Sequence, residues 1–307
     1  MSALLKVRDL HVTFPTAQGP FEALSGVDLD LAKGERLALM GESGCGKSVL
    51  GHAILRLLEG IATVQGSIDF QGNDLESMDK EAFRRLRGGS LALIPQSPSA
   101  ALDPVLRVGR QIEEMFTNAG RTDRKKVREK SLARLKDVGF EEPERIYNAF
   151  PHQLSGGMCE RALIAMATAL SPEMLIADEP TKGLDPASKM EVLKLLRRES
   201  AGKSMILITH DHYAPLICDR TAIMYAGMIV EIGPTEKVLN DPSHPYTKGL
   251  WKALPQMGMQ AIPGSMVLLR DGGCRFRERC TLREKECSGP QTMKEISPGH
   301  YVRCGHA

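Results

Sequence analysis

Eight residues, Gly41-Glu-Ser-Gly-Cys-Gly-Lys-Ser48, fit the spacing G-x-x-x-x-G-K-[ST] at every fixed position. That spacing suits a nucleoside triphosphate. Glycines at Gly41, Gly44 and Gly46 let the backbone bend tightly, so that successive N–H groups and a helix N-terminus converge on phosphate oxygens. Lys47 would reach the β and γ phosphates and Ser48 would place its hydroxyl on Mg²⁺, with Glu42, Ser43 and Cys45 completing the ATP loop. The context agrees: Glu35-Arg-Leu-Ala-Leu-Met40 reads as a short buried strand, and Val49 onward as a helix with Leu50, Ile54, Leu57, Leu58 and Ile61 on one face. Cys45 allows two readings. Its place at a helix N-terminus favours a thiolate whose alkylation would block ATP, and it is also a small residue that fits the loop.

A second group of residues carries the remaining chemistry of phosphoryl transfer. Met174-Leu-Ile-Ala-Asp178-Glu179 is an apolar run ending in two acids. Asp178 would hold the Mg²⁺ shell through Ser48 and water, and Glu179 would act as general base on the attacking water. Leu154-Ser-Gly-Gly-Met158 precedes a good helix former, so Ser155, Gly156 and Gly157 make a second anion nest. Gln96 follows a buried run, Gly183-Leu-Asp185 turns the chain after Glu179, and Thr209-His210-Asp211 ends a further run.

These residues need a sheet with helices on both faces. Leu91-Ala-Leu-Ile94, Met174-Leu-Ile-Ala177 and Met205-Ile-Leu-Ile208 are continuous apolar runs, as in buried parallel strands. Leu4 to Phe14, Val27-Asp-Leu-Asp-Leu31 and Gly66 to Gly72 point instead to a small antiparallel sheet. From about Ser97 to Leu170 the pattern is helical. Thr122 can cap a helix through Val127, Leu132, Leu135 and Val138 that Gly139 ends, and the charge run Arg121 to Lys130 reads as its solvated face. Past Asp241 the chain changes character: Asp241-Pro-Ser-His-Pro-Tyr246, Pro255 and Ile262-Pro-Gly264 break regular structure.

The 307 residues suffice for one large domain with an appendage, and 40 Lys and Arg against 38 Asp and Glu leave no global field for nucleic acid or an acidic membrane. No apolar stretch approaches the roughly 18 residues that span a bilayer, and the first residues lack a signal-peptide core, so a cytosolic location is expected. Four of the seven cysteines, Cys274, Cys280, Cys287 and Cys304, cluster with gaps of five, six and sixteen residues. Those gaps match neither a common zinc ribbon nor a ferredoxin, and on spacing alone zinc and iron–sulfur stay open. His300 and His306 read as exposed surface residues.

With the phosphate loop, Gln96, Leu154-Ser-Gly-Gly157, Asp178-Glu179, Asp185 and His210 in that order, the chain resembles an ATP-binding subunit of an ABC transporter over residues 4 to 245. Phe14 matches the aromatic residue that stacks on adenine. Finer stretches resemble the oligopeptide, dipeptide and nickel importer group: Ile94-Pro-Gln-Ser-Pro, Ala101-Leu-Asp-Pro104, Pro151-His-Gln-Leu-Ser-Gly-Gly-Met158, Met224-Tyr-Ala-Gly227, His244-Pro-Tyr-Thr247 and Gly273-Cys-Arg-Phe-Arg-Glu-Arg-Cys280. The resemblance implies an α/β fold: a P-loop NTPase (RecA-like) core with an antiparallel β subdomain, a helical signature subdomain at about 97–170, and a small C-terminal cysteine-rich extension. The ATP-binding domain would cover 1–240 and the extension 241–307.

The same resemblance implies a head-to-tail pair with a second ABC ATPase subunit, the same chain or another, in which Ser155, Gly156 and Gly157 touch the partner's ATP and Asp185 lies at the dimer turn. His210 would hold the γ-phosphate and attacking water. Gln96 would sense nucleotide and pass motion to one of two membrane permease subunits, on the cytoplasmic side of the membrane, that receive solute from an external binding protein. A [4Fe–4S] cluster on Cys274, Cys280, Cys287 and Cys304 is implied, with zinc as the alternative. Two stretches depart from the group. Cys159-Glu160-Arg161 stands where a basic residue and Gln usually precede Arg, and is expected to bring negative charge towards the partner's nucleotide. Lys182-Gly183 replaces small or hydroxylic residues. ATPases acting on nucleic acid or ribosomes fit less well: about 110 residues separate phosphate loop from signature, with no room for a long coiled coil, and there is one cassette. A redox-sensing module would not need Glu179 and His210.

Overall fold

Alternating burial shapes β1 (Ala3–Phe14): Leu5, Val7, Leu10 and Val12 are fully buried, while Lys6 and Arg8 face solvent. The computed structural model describes residues 3–121, 123–254, 257–266 and 272–306. The expected Thr122 cap and the break at Pro255 lie outside the described residues. Two compact units divide the chain, one of residues 1–76 with 208–307 and the other of 77–207.

In the first unit β2 (Phe21–Ala32) and β4 (Thr63–Phe70) flank β1, both antiparallel, and β5 (Asn73–Asp74) pairs with β4. This is the expected antiparallel sheet. β3 (Arg36–Met40) is buried along all but its first residue and leads through the glycine loop into α1 (Lys47–Ile54). The helix stops at Ile54, where Arg56 takes a left-handed φ of 48°; Leu57 and Ile61, expected on its buried face, are 41% and 56% exposed.

The second unit runs through α2 (Lys80–Leu86), β6 (Leu91–Ile94), α3 (Pro98–Ala101), α4 (Val108–Asn118), α5 (Arg124–Asp137), α6 (Pro143–Asn148), α7 (Gly156–Ala167), β7 (Met174–Asp178), α8 (Pro186–Glu199) and β8 (Ser204–Ile208). β6 and β7 pair in parallel with both faces covered, and β8 lies beside β7. Asp123 caps α5, accepting from the Lys125 and Lys126 amides at 3.1 and 3.2 Å. Arg124, Lys125, Lys126, Arg128, Glu129 and Lys130 are exposed, as a solvated face requires.

Back in the first unit, β9 (Arg220–Tyr225) pairs in parallel with β3, β10 (Met228–Pro234) turns back antiparallel on it, and α9 (Thr235–Asn240) and α10 (Pro245–Lys252) follow. The tail closes with β11 (Lys294–Ser297) and β12 (His300–Val302), which extends the sheet on β10. The described residues between 241 and 306 therefore pack within the first unit. Tyr246, Trp251 and Phe276 of the tail join Met40, Ile223, Tyr225, Val230 and Val238 in one apolar cluster, and the Trp251 Nε1–H donates to the Val238 carbonyl at 2.9 Å. His300, expected at the surface, is 2% exposed. Its Nε2 lies 2.8 Å from Oε1 of Glu231, a buried carboxylate that also accepts the Ser243 and His244 amides at 2.7 and 3.0 Å. A polar side chain at such depth is held there by that need for partners.

Candidate nucleotide site

The phosphate loop is built on β3 and ends in the first turn of α1. Gly41 has φ of 150°, and a Cβ there would stand 2.2 Å from the Met224 carbonyl oxygen. Gly46, at φ 107°, begins the helix, and a Cβ would meet the Ala23 carbonyl at 2.8 Å. Only glycine lets the loop lie this close to neighbouring backbone. The Lys47 ammonium is 7% exposed and donates to the Gly41 and Glu42 carbonyls at 2.8 and 3.0 Å, so it closes over the loop that it would share with phosphate. Ser48 occupies the second position of α1.

Cys45 is 1% exposed, and burial pushes its thiol pKa up despite the Lys47 ammonium nearby. The thiolate expectation is thus overturned, because desolvation outweighs a single cation and a helix terminus. The small-residue reading fits: Sγ would stand 2.8 Å from a Cβ on Gly41. Phe14 ends β1 half-buried, opposite Phe21. His210 is exposed just past β8, where the Thr209 amide donates to the Leu39 carbonyl of β3 at 3.0 Å. The first unit thus gathers the loop, Phe14 and the His210 turn.

In the second unit Asp178 and Glu179 sit at the end of β7, 3% and 7% exposed. Glu179 adopts a left-handed φ of 52°. A bulky residue in that region is strained, and such strain is concentrated at functional positions. Gln96 is half-buried just past β6. Ser155 caps α7, its Oγ accepting the Met158 amide at 3.3 Å, and Ser155 and Gly156 are exposed. The anion nest therefore opens to solvent, as a surface that meets another molecule would. A Cβ on Gly157 would press on Ser188 Oγ at 3.2 Å. Asp185 caps α8, accepting the Ala187 and Ser188 amides at 3.0 and 3.1 Å.

Glu160 is the departure whose outcome differs from expectation. It is 2% exposed, its Oε1 has no hydrogen-bond partner among the described residues, and burial raises its pKa to about 8. It is protonated at neutral pH and brings no negative charge to a neighbouring nucleotide. The cause is its helix: α7 buries Cys159, Glu160, Ala162, Leu163, Ile164 and Ala165.

All four tail cysteines are free thiols, with Cys287 and Cys304 buried and Cys274 and Cys280 partly so. Burial raises the pKa of Cys274 and Cys280, with the neighbouring cysteines adding to the rise. The Cys274 amide donates to the Cys287 carbonyl at 2.8 Å, and His306 Nε2 lies 3.9 Å from Cys287 Sγ. Among the described residues no group of three or more His, Cys, Asp or Glu side chains is placed to hold a metal ion. A zinc ion, which draws four sulfurs to about 2.3 Å from one point, finds no such set.

Three residues of this region had not been singled out. Arg279 donates from Nη1 and Nη2 to Glu42 Oε2 and Oε1 at 2.8 and 2.9 Å. The Tyr246 hydroxyl accepts the Glu42 amide at 2.9 Å. Arg275 pairs with Glu22 at 3.0 Å and donates to the Ala226 carbonyl. Their only trace in the sequence is their place in His244-Pro-Tyr-Thr247 and Gly273-Cys-Arg-Phe-Arg-Glu-Arg-Cys280.

No helix among the described residues is long and apolar enough to cross a membrane. The family model described as "ABC transporter" matches residues 24–182, and that described as "Oligopeptide/dipeptide transporter, C-terminal region" matches 230–287. A protein of Sinorhizobium fredii named "Probable peptide ABC transporter ATP-binding protein y4tR" is 41% identical over 98% of this chain and 94% of its own length. The dipeptide transport ATP-binding protein DppD of Bacillus subtilis is 38% identical over 99% and 95%. Among solved structures, the dimeric post-hydrolysis state of the ATP-binding cassette MJ0796 bound to ADP and Pi superimposes with a TM-score of 0.67 at 26% identity, covering 75% of this chain and 98% of that one. The nucleotide loop, the acid pair and the exposed Ser-Gly-Gly helix start stand on a P-loop NTPase fold, and the chain belongs to the ABC transporter family as an ATP-binding, ATP-hydrolysing subunit.

Proposed function

We propose that the chain powers import of a dipeptide or oligopeptide through two membrane permease subunits, on the cytoplasmic face of the membrane, with an external solute-binding protein delivering the solute. The match of residues 230–287 to an oligopeptide and dipeptide transporter region carries the reading. The names of the relatives support a peptide over a nickel complex. Residues 1–240 serve as the ATPase domain and 241–307 as the transporter-type extension.

The chemistry follows from charge and placement. Lys47 and the loop amides take the β and γ phosphates, Phe14 the adenine, and Ser48 with Asp178 the Mg²⁺ shell. Glu179 accepts the proton of the attacking water, His210 holds that water and the γ-phosphate, and Gln96 reports the nucleotide to a permease. A second ABC ATPase subunit, the same chain or another, lends its exposed Ser-Gly-Gly start to this ATP, and Ser155, Gly156 and Gly157 are lent in turn, near the Asp185 turn. ATP then favours the closed pair by binding it more tightly, and loss of the γ-phosphate lets it open.

The tail cysteines support a [4Fe–4S] cluster more than zinc. Four thiols without a carboxylate suit the cluster's preference for thiolate, and Cys274 lies in the electrostatic field of the other three. When bound, such a cluster would fasten Cys274, Cys280, Cys287 and Cys304 together.

The test is to purify the chain anaerobically, measure iron and sulfide, and compare ATP hydrolysis with Glu179→Gln after reconstitution with the permeases. A lost general base should slow hydrolysis on the order of 10² to 10⁴-fold while ATP still binds. An unchanged rate removes Glu179 from that role, and hydrolysis indifferent to peptide removes the peptide reading.

A further inference from the structure

We infer that Arg279, a residue of the tail, positions the phosphate loop and cancels the charge of Glu42, so that nucleotide affinity depends on the extension. The inference rests on the phosphate-loop reading above. Glu42 is the second residue of the loop and its carboxylate would stand near a polyanionic ligand. Both its oxygens are taken by the Arg279 guanidinium at 2.8 and 2.9 Å, in the parallel geometry that gives charge-assisted pairs their strength. Its amide is taken by the Tyr246 hydroxyl at 2.9 Å. The tail therefore grips this residue at both ends.

Arg279 is itself fixed. Its side chain is 7% exposed, its Nε donates to the Pro263 carbonyl at 2.9 Å, and its guanidinium lies 5.7 Å from the Tyr225 ring centre and 5.9 Å from that of Phe276. Tyr225 packs edge to face on Tyr246 and Phe276 at 4.6 and 5.2 Å, and Tyr246 and Phe276 lie tilted 5.3 Å apart, on the cluster that also holds Met40 just before the loop. The Glu42 carbonyl, held by the same residue's grip, is one of the two oxygens on which the Lys47 ammonium rests. Removing Arg279 would free the loop at its second residue and uncover a negative charge beside the phosphates. Both changes weaken nucleotide binding without touching the γ-phosphate chemistry. Arg279 acts through Glu42, so it is a positioning residue.

The experiment measures binding of mant-ATP to the full chain by fluorescence. Arg279→Met should raise Kd about tenfold, the scale of one uncovered charge in a half-exposed site. Glu42→Gln alone leaves the Arg279 cation uncancelled beside the phosphates and should lower Kd, a shift opposite in sign to that of Arg279→Met. Glu42→Gln added to Arg279→Met should recover most of the loss, which a purely structural role of Arg279 would not allow. Arg279→Gln keeps a donor and most of the shape and should lose binding to the same order, serving if Arg279→Met does not fold. Parental binding in both Arg279 variants, or a double variant as weak as Arg279→Met, overturns the inference. Lys47→Ala separates the two levels: if it too binds mant-ATP like the parent, the phosphate-loop reading has failed instead.

Discussion

Glu160→Gln puts the buried acid of α7 to a quantitative test. The carboxyl is 2% exposed and burial raises its pKa from an ordinary 4.5 to about 8. The unfolded chain releases this proton near 4.5, whereas the folded chain holds it until about 8. Across that window the folded state carries one proton more, so stability falls as pH rises, at about 1.4 kcal/mol per unit. It is fully present below 4.5, falls steadily, and levels off above 8. Gln has no proton to lose and nearly the same shape. The unfolding free energies of Glu160→Gln and parent, from urea titrations at pH 5.5 and 7.5, should therefore diverge by about 2–3 kcal/mol over those two units, with the variant gaining. Every other titrating group acts alike in both proteins and cancels in the difference. Parallel pH curves would refute the reasoning, because they require a Glu160 that is already ionised in the folded chain and so not desolvated as its burial demands.

Three further outcomes are expected. Cys45, buried and with its thiol pKa raised, should resist iodoacetamide at pH 7 with or without ATP, read by mass spectrometry of its peptide; labelling as fast as an exposed thiol would reverse that. His300→Ala strips one of three partners from the fully buried Glu231 and should cost about 1–3 kcal/mol in urea unfolding. A Cβ at Gly41 would stand 2.2 Å from a backbone oxygen, and at Gly44 only 3.8 Å from a methionine methyl. Gly41→Ala should therefore lose mant-ATP binding or solubility, while Gly44→Ala should stay folded and pay only for its φ, about 1–2 kcal/mol by thermal unfolding.

What the sequence made legible is local. The phosphate loop, the acid pair and the apolar runs are each complete within a few residues, and their structures follow from glycine geometry and burial. Helix ends were less legible: Leu57 and Ile61 continue the period of α1, yet the chain turns at Arg56 and leaves them exposed. The Asp123 cap lies one position from the expected one, where either residue type would serve. Burial of charge was not legible at all. Local sequence suggests a surface His300, a charged Glu160 and a thiolate at Cys45, and the structure buries all three. The grip of Arg279 on Glu42 and of Arg275 on Glu22 joins residues 237 and 253 positions apart, which no spacing rule reaches.

That separation also has a temporal side. A ribosome adds about 5–20 residues per second, and Arg279 follows Glu42 by 237 positions. The nascent phosphate loop thus waits roughly 12 to 47 s for the cation that will cover it. Once made, Ile223 and Tyr225 join Met40 in lacking the Tyr246, Trp251 and Phe276 side chains that shield them in the finished cluster. A chain interrupted between residues 230 and 245 would carry every motif of the nucleotide site and still expose an unshielded apolar face, a substrate for chaperones and proteases.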